Sequence, residues 1–102
     1  MVVKRKDCRV QKFKGFNFLV GAVGERMMIT LMQFSKADGV GAHEHPNEQA
    51  GYCFSGKFKL TVDDREYLVE RGDSYVIPGN SKHSCQFIED SEMVEVFSPP
   101  RK

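Results

Sequence analysis

Turn-forming clusters cut this chain into short runs, and in none of them does an apolar period of 3.6 persist for ten residues. That excludes a helical architecture. The runs are rich in aromatic and β-favouring residues: Phe16 to Val23, Glu25 to Phe34, Gln49 to Phe54, Lys57 to Val62, Glu66 to Glu70, Ser74 to Ile77, His83 to Ile88 and Met93 to Phe97. Such side chains suit a pleated, half-buried surface, and short strands at regular spacing specify a sandwich or barrel. The clearest alternation is Lys57-Phe58-Lys59-Leu60-Thr61-Val62, with one apolar and one wet face. Ser55-Gly56 turns the chain before it, and Asp63-Asp64-Arg65 closes a hairpin after it, because aspartate tolerates the left-handed backbone of tight turns. The fold class expected is all-β, with residues 1–102 as one domain around one core. At this length folding buries only somewhat more than about 60% of the surface. Residues 1–14 alternate loosely around Val10 and Phe13 and are expected to form an N-terminal arm or edge strand. Met27, Met28 and Met32 are expected to fill core rather than line a ligand cavity.

Charge narrows the partners. Lys plus Arg number 15 against 14 Asp plus Glu, so no excess charge recruits nucleic acid or an anionic membrane. The opening Met1 to Asp7 lacks the apolar run of a secretion signal, and no later run approaches about 20 apolar residues. A cytoplasmic protein is expected. Cys8, Cys53 and Cys85 are odd in number and widely spaced, which favours reduced thiols over a disulfide framework.

The chemistry concentrates between Gly39 and Gly56, where His43 and His45 stand two apart. On an extended strand such a pair shares a face with α-carbons roughly 6.6 Å apart, so both imidazoles can reach one metal while Glu44 points away. A bare His-x-His pair also occurs in solvated turns, so the second half of the chain matters. There Gly72, Pro78 and His83 follow in order.

Together these residues resemble the cupin superfamily. Its first motif, two histidines, a carboxylate or amide four residues on and a later glycine, falls on His43, His45, Gln49 and Gly56; its second falls on Gly72, Pro78 and His83, with Asn80 where a glycine is usual. Ala37 replaces a motif glycine and Phe87 a motif asparagine. The resemblance covers roughly residues 26–101. It implies a double-stranded β-helix, a jelly-roll barrel, holding one divalent transition metal (zinc, nickel, iron or manganese) on His43, His45, Gln49 and His83. Alternation independently turns Gln49, Gly51 and Cys53 inward, as it does His83, Cys85 and Phe87, whereas Glu48 points out. That argument outweighs the better metal affinity of the Glu48 carboxylate. Cys85 is a rival ligand on the face of His83.

The tail Glu95-Val96-Phe97-Ser98-Pro99-Pro100-Arg101 resembles that of KdgF-type cupins, as do the runs from His45 to Gln49 and from Gly72 to Asn80. Those proteins convert 4,5-unsaturated monouronates to linear keto uronates in pectin and alginate breakdown. The resemblance implies that Glu95, where the family has aspartate, exchanges a proton, that Phe97 packs against the substrate, and that Arg101 binds its carboxylate. The alternatives are a non-catalytic cupin that binds a small sugar or carboxylate, and a cupin dioxygenase. A sugar acid is the expected small-molecule partner. A homodimer is expected as well, since two-fold association covers exposed sheet edges.

Overall fold

Ten strands and one 3₁₀ turn form the regular structure of residues 1–101, which are those the computed structural model describes. The turn, Arg5–Asp7, precedes β1 (Arg9–Phe13), β2 (Phe16–Val23), β3 (Met28–Phe34), β4 (Gly39–His43), β5 (Glu48–Ser55), β6 (Lys57–Val62), β7 (Arg65–Glu70), β8 (Ser74–Ile77), β9 (His83–Phe87) and β10 (Ser91–Ser98). They build two sheets, one ordered β1-β2-β3-β10-β5-β8 and the other β4-β9-β6-β7. Every pairing is antiparallel. The fold is the jelly roll expected of an all-β chain, with β1 at the edge of the larger sheet. No helix among the described residues is long and apolar enough to cross a membrane.

The sheets face each other across a core in which Phe58, Leu60, Val69, Ile77, Phe87, Met93 and Cys53 are buried. A second cluster of Phe18, Val20, Met28 and Phe97 packs nearer one end. Strand alternation fills both, so Phe58 and Leu60 point in while Lys59 between them points out. The outer face of the smaller sheet is polar, with Lys57 and Lys59 each 3.7 Å from the carboxylates of Glu70 and Glu66. These exposed pairs add solubility and little stability. The outer face of the larger sheet differs. Cross-strand pairing lines up Val10, Leu19, Leu31, Val94 and Tyr52 in one apolar row and Ile29, Val96, Ala50 and Val76 in another.

Two expectations about side chains change. Met27 lies on the surface, 57% exposed; Met28 is core filling as expected, and Met32 both packs against the core and lines the cavity described below. Met28 and Met32, four apart on β3, share its inward face, while Met27 precedes the strand and stays in solvent.

The turns explain the residues at them. Asp63 and Asp64 have φ of 47° and 70°, a two-residue turn whose left-handed backbone matches the twist of the strands. Asn80, which stands where the motif usually has glycine, has φ 66°, a conformation asparagine tolerates. Ala37 stands at the other lost glycine with φ 72°. Alanine gains no local hydrogen bond there to offset a left-handed cost of roughly 1–2 kcal/mol. Ala37→Gly is therefore expected to stabilise the fold by about 1 kcal/mol, raising the thermal midpoint by about 4–8 °C in a calorimetric scan.

Candidate metal centre

Three histidines meet at one end of the barrel. His43 closes β4, His83 opens β9 opposite it, and His45 lies just past the end of β4 in the loop that leads to β5. His43 and His45 thus do not share a strand, as the spacing alone suggested. Pro46 has no amide hydrogen with which to continue a ladder, and the strand has stopped three residues before it. The loop is fixed by other means. The Asn80 amide donates to His45 O at 2.7 Å, and Gly79 packs so tightly on it that a Cβ there would sit 2.5 Å from Pro46 O.

The ring nitrogens of the three lie within 4.8 Å of one another. Each Nδ1 faces a backbone carbonyl: Gly41 O at 2.9 Å for His43, Asn47 O at 3.0 Å for His45 and Ser81 O at 2.8 Å for His83. A carbonyl only accepts, so in His43 and His83 Nδ1 carries the proton and Nε2 presents a lone pair, whereas His45 has an acceptor at each ring nitrogen and a single proton satisfies one of them. Burial, reinforced by neighbouring positive charges, pushes His43 down to about 4. Burial chiefly, with Arg101 next among the lowering charges, also lowers His45 and His83. All three are neutral at pH 7.

Two features of this arrangement fit a cation. His83 Nε2 is buried without a hydrogen-bond partner. His45 lies between two acceptors, Asn47 O at 3.0 Å from Nδ1 and Gln49 Oε1 at 3.1 Å from Nε2, so in either neutral tautomer one pair of lone pairs is left opposed, at Gln49 when Nδ1 holds the proton. A divalent ion reached by these atoms would convert an unfavourable contact into ligation, and three imidazoles with an amide oxygen suit a borderline transition metal.

Gln49 is 6% exposed on the inward face of β5, as alternation requires, and the neighbouring Glu48 is exposed. Its amide nitrogen donates to Glu95 Oε2 at 2.7 Å, which is what turns its oxygen toward His45. Gln49→Ala is expected to weaken metal binding in a chelator competition while Glu48→Ala leaves it unchanged. The reverse ranking would shift the assigned ligand to Glu48.

Glu95 is 6% exposed in the middle of β10. Besides the Gln49 amide it accepts the Tyr75 hydroxyl on the same oxygen, again at 2.7 Å. Burial raises its affinity for a proton, and the two hydrogen bonds and the Arg101 charge oppose that rise. Tyr75 is held firmly protonated, by burial first and by Glu95 second. Tyr75 reaches Glu95 across β5 because Gly51 separates them in the ladder, and any Cβ at Gly51 would overlap the tyrosine ring. The sequence argument did not find Tyr75, although alternation from Ile77 would have turned it inward.

Phe97, two residues on, faces the same cavity and lies 5.9 Å from the His45 ring. Arg101 follows Pro99-Pro100 and stacks on two aromatic faces, 4.7 Å from Phe13 and 5.4 Å from Phe97. The Asn47 amide anchors this tail by donating to Pro99 O at 2.6 Å. His43, Gln49, His83, Glu95, Phe97 and Arg101 line one cavity of about 60 Å³ whose remaining walls are largely apolar. Cys85 also lines it, its thiol pushed up to about 12 by burial and Glu95, but its sulfur stands outside the histidine cluster, which counts against it as the rival ligand.

Comparisons with known proteins agree with this geometry. The family model described as "Cupin domain" matches residues 30–98. An H2HPP isomerase of Bacillus subtilis is 33% identical over 61 residues, 58% of this chain and 26% of that protein. An L-ectoine synthase of Teredinibacter turnerae is 28% identical over 60 residues, 57% of this chain and 46% of that protein. The chain therefore matches less than half the length of either relative. Among solved structures, KdgF from a Halomonas species superposes with a TM-score of 0.88 at 23% identity, covering 100% of this chain and 96% of that one. An RmlC-like protein of Shewanella frigidimarina gives 0.88 at 20% identity, covering 99% and 92%.

Proposed function

The chain belongs to the cupin family, and from that premise we propose that it is a metal-dependent enzyme that moves a proton on a small carboxylate, as in the conversion of 4,5-unsaturated monouronates to linear keto uronates. The observation that carries the reading is Glu95. A buried carboxylate held by two donors, beside a histidine cluster and a guanidinium that no acceptor among the described residues engages, is placed for acid–base work. Its raised proton affinity brings it toward the range in which a carboxyl both gives and takes a proton near neutral pH. A divalent ion on His43, His45, Gln49 and His83 would supply a Lewis acid for a substrate oxygen. Arg101 pairs with the substrate carboxylate, Phe97 packs against its body, and Tyr75 with Gln49 aims the Glu95 oxygen.

The test is a substrate trial with unsaturated galacturonate and guluronate monomers on protein loaded with zinc, nickel, iron or manganese. Loss of the ultraviolet absorbance of the unsaturated uronate is expected. No turnover with any of the four metals would favour the non-catalytic binder. The largely apolar cavity walls support a second reading of the same proton chemistry, on a carboxylate with a less hydroxylated body. The isomerase relative from Bacillus subtilis supports it as well.

For assembly, we propose that two copies pair through the outer face of the larger sheet. Val10, Tyr52 and Val76 there are 59%, 48% and 60% exposed, and the two central rows carry no charge. Six strands at about 4.8 Å spacing and about 25 Å of length give a face of roughly 700 Å², the order of the ~800 Å² per partner in a standard interface. Light scattering should give twice the chain mass, and Val94→Arg should return it to that of one chain. A wild-type monomer at high concentration would refute the pairing.

A further inference from the structure

We propose that Phe13, in the N-terminal hairpin outside the matched family segment, is a positioning residue that holds the Arg101 guanidinium at the cavity mouth with its donor edge free for a carboxylate. The inference rests on the reading above that Arg101 meets a ligand carboxylate.

Arg101 needs such a support. It lies beyond the end of β10, so no sheet ladder fixes it, and among the described residues its side chain makes no hydrogen bond or ion pair. A guanidinium interacts with its surroundings in two separable ways, through its flat faces and through the five N–H groups in its plane. Here the guanidinium carbon sits over the Phe13 and Phe97 rings, at 4.7 and 5.4 Å from their centres. The in-plane donors stay uncommitted, which is the state a two-pronged carboxylate contact requires. Glu95 attracts Arg101 through space without bonding to it.

Phe13 is itself well placed to act as a fixed wall. The hairpin turn Lys14-Gly15 has φ of 50° and 85°, the left-handed pair that closes a tight turn and sets the register Phe13 opposite Phe16. Phe16 packs edge-on against Phe34 at 5.1 Å, and Phe34 stacks on the core residue Phe87 at 4.2 Å. An aromatic chain thus ties the hairpin to the interior. On its other side Phe13 meets the His43 ring edge-on at 5.0 Å and 61°. One ring therefore touches both the candidate metal cluster and the candidate anion-binding group. Were Phe13 only core filling it would need to meet neither.

The experiment is a double-mutant cycle. Galacturonate is titrated calorimetrically into metal-loaded wild type, Phe13→Leu, Arg101→Lys and the double variant, with metal content and thermal midpoint measured for each. Phe13→Leu keeps apolar volume and loses the ring face, so it should retain metal and weaken galacturonate about fivefold. Phe13→Tyr should restore the wild-type value. In the Arg101→Lys background Phe13→Leu should cost clearly less, because a lysine ammonium keeps only a point-charge attraction to the ring and has no plane for it to orient. Equal losses in both backgrounds would mean that Phe13 acts through general packing, and would overturn the proposal. The Arg101 side-chain resonances give a readout that needs no ligand. Ring currents from Phe13 should shift the Arg101 δ and ε protons upfield, and the shift should shrink in Phe13→Leu; unchanged resonances would also overturn it. If wild type ignores galacturonate, the sugar-acid reading fails, and those resonances alone still decide whether Phe13 holds Arg101.

Discussion

His83→Ala is expected to lower the metal content of the purified protein from about one divalent ion per chain to almost none, with His45→Ala close behind. These rings bring neutral, lone-pair-bearing nitrogens to within 4.8 Å of one another, and removing one leaves two imidazoles and an amide. His83 should be the more damaging loss. Its Nε2 is the buried atom with no other partner, whereas His45 Nε2 already faces Gln49. The pH dependence has a definite sign. An ion competes with protons for the rings, and rings whose folded-state affinity for protons is lowered below the ordinary value of about 6.5 lose that competition only at lower pH. With all three rings held below that value, His43 at about 4, the ion should be retained at a lower pH than three exposed imidazoles would allow and be lost only on further acidification. Emission spectroscopy on dialysed wild type and variants reads both effects. Full metal content in His83→Ala would remove the site.

Glu95→Gln should cost a factor of roughly 100 to 10,000 in turnover with little change in ligand affinity, the signature of a lost proton-transfer group. The substitution is close to isosteric, and its amide oxygen can still accept from Tyr75 or Gln49, so fold and metal content should persist. Glu95→Asp keeps a carboxylate, the residue of the KdgF-type tail, and is expected to retain activity. Single-turnover measurements on metal-matched samples separate rate from binding. Wild-type turnover by Glu95→Gln would show that the proton moves by another route, even with the metal centre intact.

The register of the strands was legible because one face of each is buried. Gln49, Gly51 and Cys53 point inward as the period of two requires, and a slip of one residue would have exposed all three. Likewise the Asp63-Asp64 turn follows from what aspartate backbone tolerates. The contributions of Tyr75 and Phe13 were not legible, and for a common reason. Both act on residues distant in sequence, Tyr75 through a neighbouring strand onto Glu95 and Phe13 from the sheet edge onto Arg101. Alternation tells which face a side chain takes and nothing about which strand lies beside it. His45 escaped the strand argument because a proline-bearing loop, rather than a pleat, aims its ring.

The three histidine rings are steered by peptide carbonyls, and this bears on how such a protein can diverge. Where a side-chain carboxylate orients a liganding imidazole, one codon change can release it. Gly41 O, Asn47 O and Ser81 O belong to the main chain and persist whatever residue occupies those positions. Ring orientation is then inherited with the path of the backbone, and drift at positions 41 and 81 leaves the rings in place as long as that path holds, whereas the Asn47 side chain has the separate task of holding Pro99 O. Heritable adjustment of the centre falls instead on Gln49, where one nucleotide separates amide from carboxylate and would change the charge of the donor set by a full unit.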